Sequence, residues 1–258
     1  MNFEFRDLVV FIVVISICFA VVYFRRGPWH VRTHQDIHQV HSTHVNPTPR
    51  LGGVAILSAC VVVVPFIDGY FGDRYAKFIV SILPFAAVCL WEDIIRPTSP
   101  TMRLFATVAS VIVTMAFLEV QLMRLDIALI DPWMGGIIGS AVTITFVAGT
   151  VNGFNMIDGL NGLCGIIAAS ALVSISILSG IAGYDFMIGI SMTVAVSIAA
   201  FLVFNFPNAR IFLGDTGTYF IGYVLGWFSI SILHRSPEVS TWALFLILGY
   251  PLCELLLT

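Results

Sequence analysis

Glu92, Asp93, Asp158 and Asp215 stand at the ends of long apolar runs, in or beside turn-forming stretches. Those stretches are Trp91-Glu92-Asp93, Asn155-Met156-Ile157-Asp158-Gly159 and Phe212-Leu213-Gly214-Asp215-Thr216-Gly217. Counting apolar runs places all four acids on one face of a membrane. Carboxylates gathered at a surface are hard oxygen donors, suited to a Mg²⁺ ion that keeps waters for phosphate oxygens to replace. The chemistry to expect is the handling of a phosphorylated substrate, with acids and a divalent cation arranged around it.

Each stretch also admits a plainer reading. Asn205–Gly217 closes one apolar run and opens the next. Asp215 and Thr216 at a helix start could border an anion held by free backbone N–H groups, with Gly214 and Gly217 leaving room for a ligand. An ordinary N-cap would also place Asp there. In Val151–Leu163, the residues Asn152, Asn155 and Asp158 recur every three positions, which a helical turn would align on one side. Amides and a carboxylate at membrane depth need protein or water partners. A tight turn built on Asn-Gly and Asp-Gly would use some of the same residues. Glu92 and Asp93 cannot face the same way on a helix, yet together they can flank one cation or proton. Their alternative is a charged helix end with Arg96 as partner. Asn46–Gly53 carries Arg50, a planar fork for phosphate or simply an interfacial cation. His30, His34, His38, His41 and His44 have spacings that a helix could turn into a Zn²⁺ or Ni²⁺ site. Pro47 and Pro49 point instead to an extended juxtamembrane loop.

The elements that must position these residues are helices in lipid. The chain of 258 residues is 59% hydrophobic and 10% charged, outside the balance of a soluble domain. Uncharged runs recur near the length a bilayer demands, about 20 residues. They are Leu8–Phe24, Gly52–Ile67, Phe78–Trp91, Leu104–Leu118, Pro132–Ile157, Gly159–Tyr184, Phe186–Ala209, Thr216–Leu233 and Val239–Cys253. The expected fold is all-α: one polytopic transmembrane bundle of about nine helices, a single domain over residues 1–258. With the N-terminus outside, Arg25, Arg26, Arg32, Arg50, Arg96, Arg103 and Arg210 face the cytoplasm. Arg6, Arg74, Lys77, Arg124 and Arg235 then face out, and every acid-bearing turn named above falls inside. The outer segment with Glu119, Asp126 and Asp131 reads as a solvated connection. The first run follows Glu4, Arg6 and Asp7 and reads as a retained helix rather than a signal peptide. Five cysteines within apolar runs read as small buried hydrophobes. A net charge of −3 says little about partners, and there is no basic stripe for nucleic acid, which is not expected as a partner.

Four motifs in this order, at consistent helix spacing, resemble the polyprenyl-phosphate N-acetylhexosamine-1-phosphate transferases. The matching stretches are Pro47–Ile56, Glu92-Asp93 with Pro97–Arg103, Val151–Gly165 and Asn205–Gly222. The likeness is closer to bacterial members that start O-antigen and other surface glycans than to the peptidoglycan-precursor translocase. The resemblance implies a multi-pass protein of the bacterial inner membrane with its site facing the cytoplasm. Its implied activity moves an N-acetylhexosamine 1-phosphate from a UDP-sugar to undecaprenyl phosphate, releasing UMP. Carried over, Asp215 holds Mg²⁺ (or Mn²⁺ in its place). Glu92, Asp93 and Asp158 take catalytic positions, and Arg50, Asn152, Asn155 and Asn205 contact substrate. A homodimer stays open. The chain departs from the family pattern in three places. Glu92 stands where an aspartate is usual, His41-Ser42-Thr43-His44 stands where a basic residue is usual, and the sequence ends at Leu255-Leu256-Leu257-Thr258. Family members continue into a cytoplasmic loop and a further helix, so the expectation is a chain truncated at its C-terminus, with an inactive copy as the alternative. The competing class is ion- or proton-coupled transport, whose acids would lie near mid-bilayer in broken helices.

Overall fold

The structure, a computed structural model, describes residues 3–24, 48–67, 69–95 and 98–257. Arg25, Arg26, Arg32, the five clustered histidines, Asn46, Pro47, Arg96 and Pro97 lie outside the described residues. Among the described residues ten α-helices follow in order: α1 Phe3–Tyr23, α2 Gly52–Val63, α3 Gly69–Ile94, α4 Pro100–Leu118, α5 Gly136–Met156, α6 Leu163–Ile181, α7 Asp185–Asn205, α8 Gly214–Arg235, α9 Thr241–Ile247 and α10 Gly249–Leu257. Helices satisfy their own backbone polar groups, the condition for crossing lipid. Six of them, α1 and α4 to α8, are long and apolar enough to cross a membrane. The apolar stretch of α2 is shorter and runs on through a 3₁₀ turn to Phe66. The 26-residue α3 carries its charges near its two ends.

The bundle is organised around α8. Every residue of this helix except Ser231, His234 and Arg235 is buried, and α2, α3, α5 and α6 all pack against it. Gly53 of α2 meets Gly217 of α8 so closely that a methyl on Gly53 would overlap the backbone of Gly217. Small residues at such a crossing let helix axes approach where lipid supplies no hydrophobic drive between helices. Hydroxyls add glue: Thr114 Oγ1 lies 2.6 Å from both Ser81 Oγ and Tyr223 Oη, which links α4 to α3 and α8.

The chain differs from expectation in its last run. Instead of one continuous helix, α9 and α10 meet at Leu248, and α10 packs along α5. Phe245 packs its ring on Phe146 at 5.3 Å. Pro251 lies against Gly153, and Leu255 lies back beside Gly149. Pro251 has no N–H to donate and its ring crowds the preceding turn, so one continuous helix through 239–253 is disfavoured.

The acidic connection between α4 and α5 also differs from the solvated loop expected of it. Leu122 and Met134 are buried, and Leu122 N donates to Thr143 Oγ1 at 2.8 Å. Asp126 accepts from Thr241 N at 2.6 Å and Ser240 Oγ at 3.1 Å, at the start of α9. Arg124 donates to the carbonyls of Ser236 and Val239. The backbone N–H of Thr241 and, after it, the neighbouring Arg124 charge hold the Asp126 carboxyl below its ordinary value. A carboxyl depressed on folding adds stability that is complete above the ordinary value of about 4 and is lost as pH falls through the lower folded-state value. Asp126→Asn is therefore expected to lower Tm at pH 7, with the gap to the parent closing in a melting series carried below pH 4. A gap that widens on acidification would contradict this role.

Candidate active site

The two ends of the bundle collect different chemistry. At one end lie the start of α2, the end of α3, the start of α4, the end of α5 and its turn into α6, the end of α7 and the start of α8. Arg50, Glu92, Asp93, Asn152, Asn155, Asp158, Asn205 and Asp215 all belong to these segments.

Asp93 closes α3 and is 5% exposed. Its Oδ1 accepts from Asp215 N at 2.9 Å and its Oδ2 from Thr216 N at 2.8 Å. Those N–H groups belong to the first turn of α8, where an intrahelical partner is lacking and the helix dipole favours a negative charge. The anion on this helix start is thus the protein's own. It replaces the expected substrate anion at that spot, and it corrects the N-cap reading of Asp215, because Asp93 does the capping. Gly214 has φ +74°, and a Cβ there would sit 2.9 Å from both Asp93 oxygens. Its freedom serves this capping contact, and Gly217 serves the contact with α2, rather than a direct approach to ligand.

Since Asp93 takes the backbone donors, the Asp215 carboxylate is left to face side chains. Arg50 reaches it because the chain before α2 pairs with the chain before α8. Phe212 N donates to Pro49 O at 2.8 Å, Gly52 N to Phe212 O at 2.9 Å and Gly53 N to Leu213 O at 2.8 Å. Arg50 Nη2 then lies 2.8 Å from Asp215 Oδ1, and Arg50 Nε 3.6 Å from Asp93 Oδ1.

Arg103 completes the group from the first turns of α4. Its Nη1 lies 3.1 Å from Glu92 Oε1 and 3.1 Å from Asp215 Oδ2, so one cationic nitrogen bridges two carboxylates. Its guanidinium sits over the Tyr219 ring at 5.8 Å. Thr98 donates to the other Glu92 oxygen. Glu92 and Asp93 therefore do diverge, one toward α4 and the other toward α8. Sequence reasoning assigned no site role to Arg103, Thr98 or Tyr219. A single arginine just inside an apolar helix, behind a Ser-Pro start, was the available signal for the first. Ser99 caps that helix by accepting from Met102 N at 3.2 Å.

Asn155 donates to Thr218 Oγ1 at 3.1 Å, which places it beside the first turn of α8. Asn152 lies one turn earlier and donates to Ala148 O at 2.7 Å. Asp158 falls in the turn beyond α5 rather than on its helical face, and it is exposed. The surrounding protein pushes its carboxyl up, Arg50 opposes this, and the Asp215 and Asp93 charges add to the rise. Direct contact with water tempers the first of these effects. Asn205 stands apart from the group. Only 6% exposed, it accepts from Gly162 N at 2.7 Å and donates to Ile211 O at 2.9 Å. Both ends of its amide hold turns, so the structure gives it a positioning place rather than the substrate contact expected of it. Asn205→Ala is expected to cost about 2 kcal/mol by leaving those two buried groups unpaired. A melting curve checks this.

The donor chemistry fits Mg²⁺. Asp215 and Glu92 turn oxygens toward one cationic point, the position of Arg103 Nη1, and Mg²⁺ needs only one or two carboxylates beside water and phosphate. Thr216 Oγ1 and Arg103 Nε are buried without a partner among the described residues, which leaves hydrogen-bonding capacity for a bound group. Those residues contain no cluster of three His, Cys, Asp or Glu placed for a metal, so the protein would furnish part of a shell.

A helical membrane bundle with acids and arginines converging at one end defines a class of integral-membrane proteins acting at a bilayer surface. Residues 75–233 match glycosyl transferase family 4, and the chain belongs to that family. The undecaprenyl-phosphate α-N-acetylglucosaminyl 1-phosphate transferase of Thermotoga maritima is 27% identical over 215 residues, 83% of this chain and 60% of that protein. The decaprenyl-phosphate N-acetylglucosaminephosphotransferase of Mycobacterium tuberculosis strain H37Rv is 31% identical over 204 residues, 70% of this chain and 49% of that protein. The phospho-N-acetylmuramoyl-pentapeptide-transferase of Chlamydia muridarum is 36% identical over 98 residues, 36% of this chain and 29% of that protein. The matched part of the chain thus spans 60% of the length of the first of these relatives and 49% of the second. Arg50 lies outside the family match, while Glu92, Asp93, Asn152, Asn155, Asp158, Asn205 and Asp215 lie within it.

Proposed function

We propose that the protein transfers an N-acetylhexosamine 1-phosphate from its UDP-sugar to undecaprenyl phosphate with release of UMP. This is the first membrane step of an O-antigen or other surface glycan, carried out at the cytoplasmic face of a bacterial inner membrane. The observation that carries the reading is the convergence of Asp93, Asp215, Glu92, Arg50 and Arg103 at one end of the bundle, all but Arg50 inside the region shared with glycosyl transferase family 4. Two of the relatives are named as transferases of undecaprenyl phosphate and decaprenyl phosphate, which supplies the substrate class.

Both substrates are phosphate anions and repel, so charge neutralisation and alignment are the tasks to be met. Asp215, with Glu92 beside it, would hold Mg²⁺, and the bound ion would neutralise charge on the donor pyrophosphate. Arg50 and Arg103 offer planar forks matched to phosphate oxygens. In this reading each fork turns from its carboxylate to a substrate phosphate on binding. Asn155 and Asp158, with Asn152 behind them, border the nucleotide-sugar. A phosphate monoester has its second pKa near about 6, so the acceptor oxygen is largely deprotonated at pH 7 without help. Asp93 has both oxygens on α8 backbone N–H groups, which suits a positioning residue better than a proton acceptor. The acceptor oxygen attacks the phosphorus next to the sugar, and the bond from that phosphorus to the UMP oxygen breaks.

The released nucleotide tests this directly. Membranes containing the chain, supplied with labelled UDP-N-acetylglucosamine and undecaprenyl phosphate, should yield UMP and lipid-linked sugar one for one. UDP in place of UMP would mean that sugar moves without its phosphate, and would overturn the proposal.

A further inference from the structure

A second recess lies at the far end of the bundle. It is a cavity of about 350 Å³ between the first turns of α3 and α7 and the last turns of α4 and α8. Its wall is aromatic, with Phe71, Tyr75, Phe78, Phe186 and Trp227 among the lining residues. The rings of Phe71 and Phe186 stack at 4.7 Å. Arg74, His234 and Arg235 also line it. Arg74 and Asp93 are 19 residues apart on α3, about 28 Å along the helix axis, so this recess is separate from the carboxylate site.

Its cations lack acid partners. Among the described residues no carboxylate comes within ion-pair distance of Arg74 or Arg235, and Asp73 beside Arg74 is taken by Lys77. Arg74 donates to Tyr70 Oη at 2.8 Å and to Leu118 O at 2.7 Å, which uses two of its five N–H groups. Arg235 lies over the Tyr184 ring at 4.7 Å. Two guanidinium groups with donors to spare thus border an aromatic hollow at the end of apolar helices.

We propose that this recess binds the phosphate headgroup of an anionic membrane lipid. The phosphate meets Arg74 and Arg235, and the first carbons of the lipid lie against the aromatic wall. A free phosphate ion would use the arginines but gain nothing from the rings. Lipid is the better match because this end of the helices lies where headgroups, aromatic belts and basic side chains meet.

The test is a lipid titration of the purified, delipidated chain in neutral detergent, with bound lipid counted by native mass spectrometry. Phosphatidylglycerol, phosphatidylcholine and free glycerol 3-phosphate form the three arms. Phosphatidylglycerol should bind at least about tenfold more tightly than phosphatidylcholine, the worth of one charge-assisted pair. Arg74→Gln/Arg235→Gln should erase that preference. Arg235→Gln alone, at an exposed residue, should weaken it in a protein that still folds, and Ser231→Phe should block the recess with both arginines kept. Equal binding of the two lipids, an unchanged preference in the Arg235→Gln protein, or glycerol 3-phosphate binding as tightly as phosphatidylglycerol would overturn the proposal.

Discussion

Asp215→Asn is expected to lower sugar-phosphate transfer by at least about 10²- to 10³-fold, the usual cost of removing one fixed charge-stabilising group, while leaving the fold intact. The substitution keeps the shape of the side chain and removes its charge. Asp93 still caps α8 through Asp215 N and Thr216 N, and Arg103 keeps Glu92 as partner. What disappears is the anion held between Arg50 and Arg103, and with it the oxygen donor proposed for Mg²⁺. Transfer rates over a Mg²⁺ titration, with Tm recorded alongside, separate a lost site from a lost fold. A wild-type rate in the variant would remove Asp215 from the chemistry.

Gly53→Ala should do the opposite and break the scaffold. The added methyl would overlap the backbone of Gly217, and backbone cannot swing aside as a side chain can. The same residue donates to Leu213 O at 2.8 Å, so pushing α2 away also loosens the pairing that delivers Arg50 to Asp215. Overpacking of this kind costs about 3 kcal/mol. The expected outcome is a markedly lower Tm and loss of transfer together. Gly135→Ala is the control: a Cβ there meets nothing within 4 Å, and its φ of −85° suits any residue. An unchanged Tm in Gly53→Ala would mean that α2 and α8 stand further apart than described.

Much of this was legible in the residues. The helices α1 to α8 follow from the apolar runs, six of them long enough to cross a bilayer. Their alternating ends bring Arg50, Glu92, Asp93, Asn155, Asp158 and Asp215 together, because each turn-rich acidic stretch falls at the same end of consecutive crossings. The division of labour among the acids was hidden. Asp93 and Asp215 are 122 residues apart in sequence, and nothing local says which of them would take the free N–H groups of α8. Arg103 was hidden for the same reason, since its partners come from two other helices. Asn205 illustrates the limit of motif spacing: an amide in a site-like turn serves the turn itself. Pro251 was the overlooked signal at the end of the chain, where a hydropathy count runs straight across a residue that stops a helix. In the α4–α5 connection, the acids Glu119, Asp126 and Asp131 suggested solvent, while Leu122 and Met134 in the same segment are buried.

The most direct test compares two carboxylates at opposite ends of one bundle. Membranes carrying the parent chain, Asp215→Asn or Asp73→Asn would receive UDP-N-acetylglucosamine labelled in the sugar, undecaprenyl phosphate and Mg²⁺, and the lipid extract would be counted over time. The account predicts labelled lipid from the parent and from Asp73→Asn, and none above background from Asp215→Asn. Label appearing as fast in Asp215→Asn as in the parent, or no labelled lipid from the parent, would contradict it.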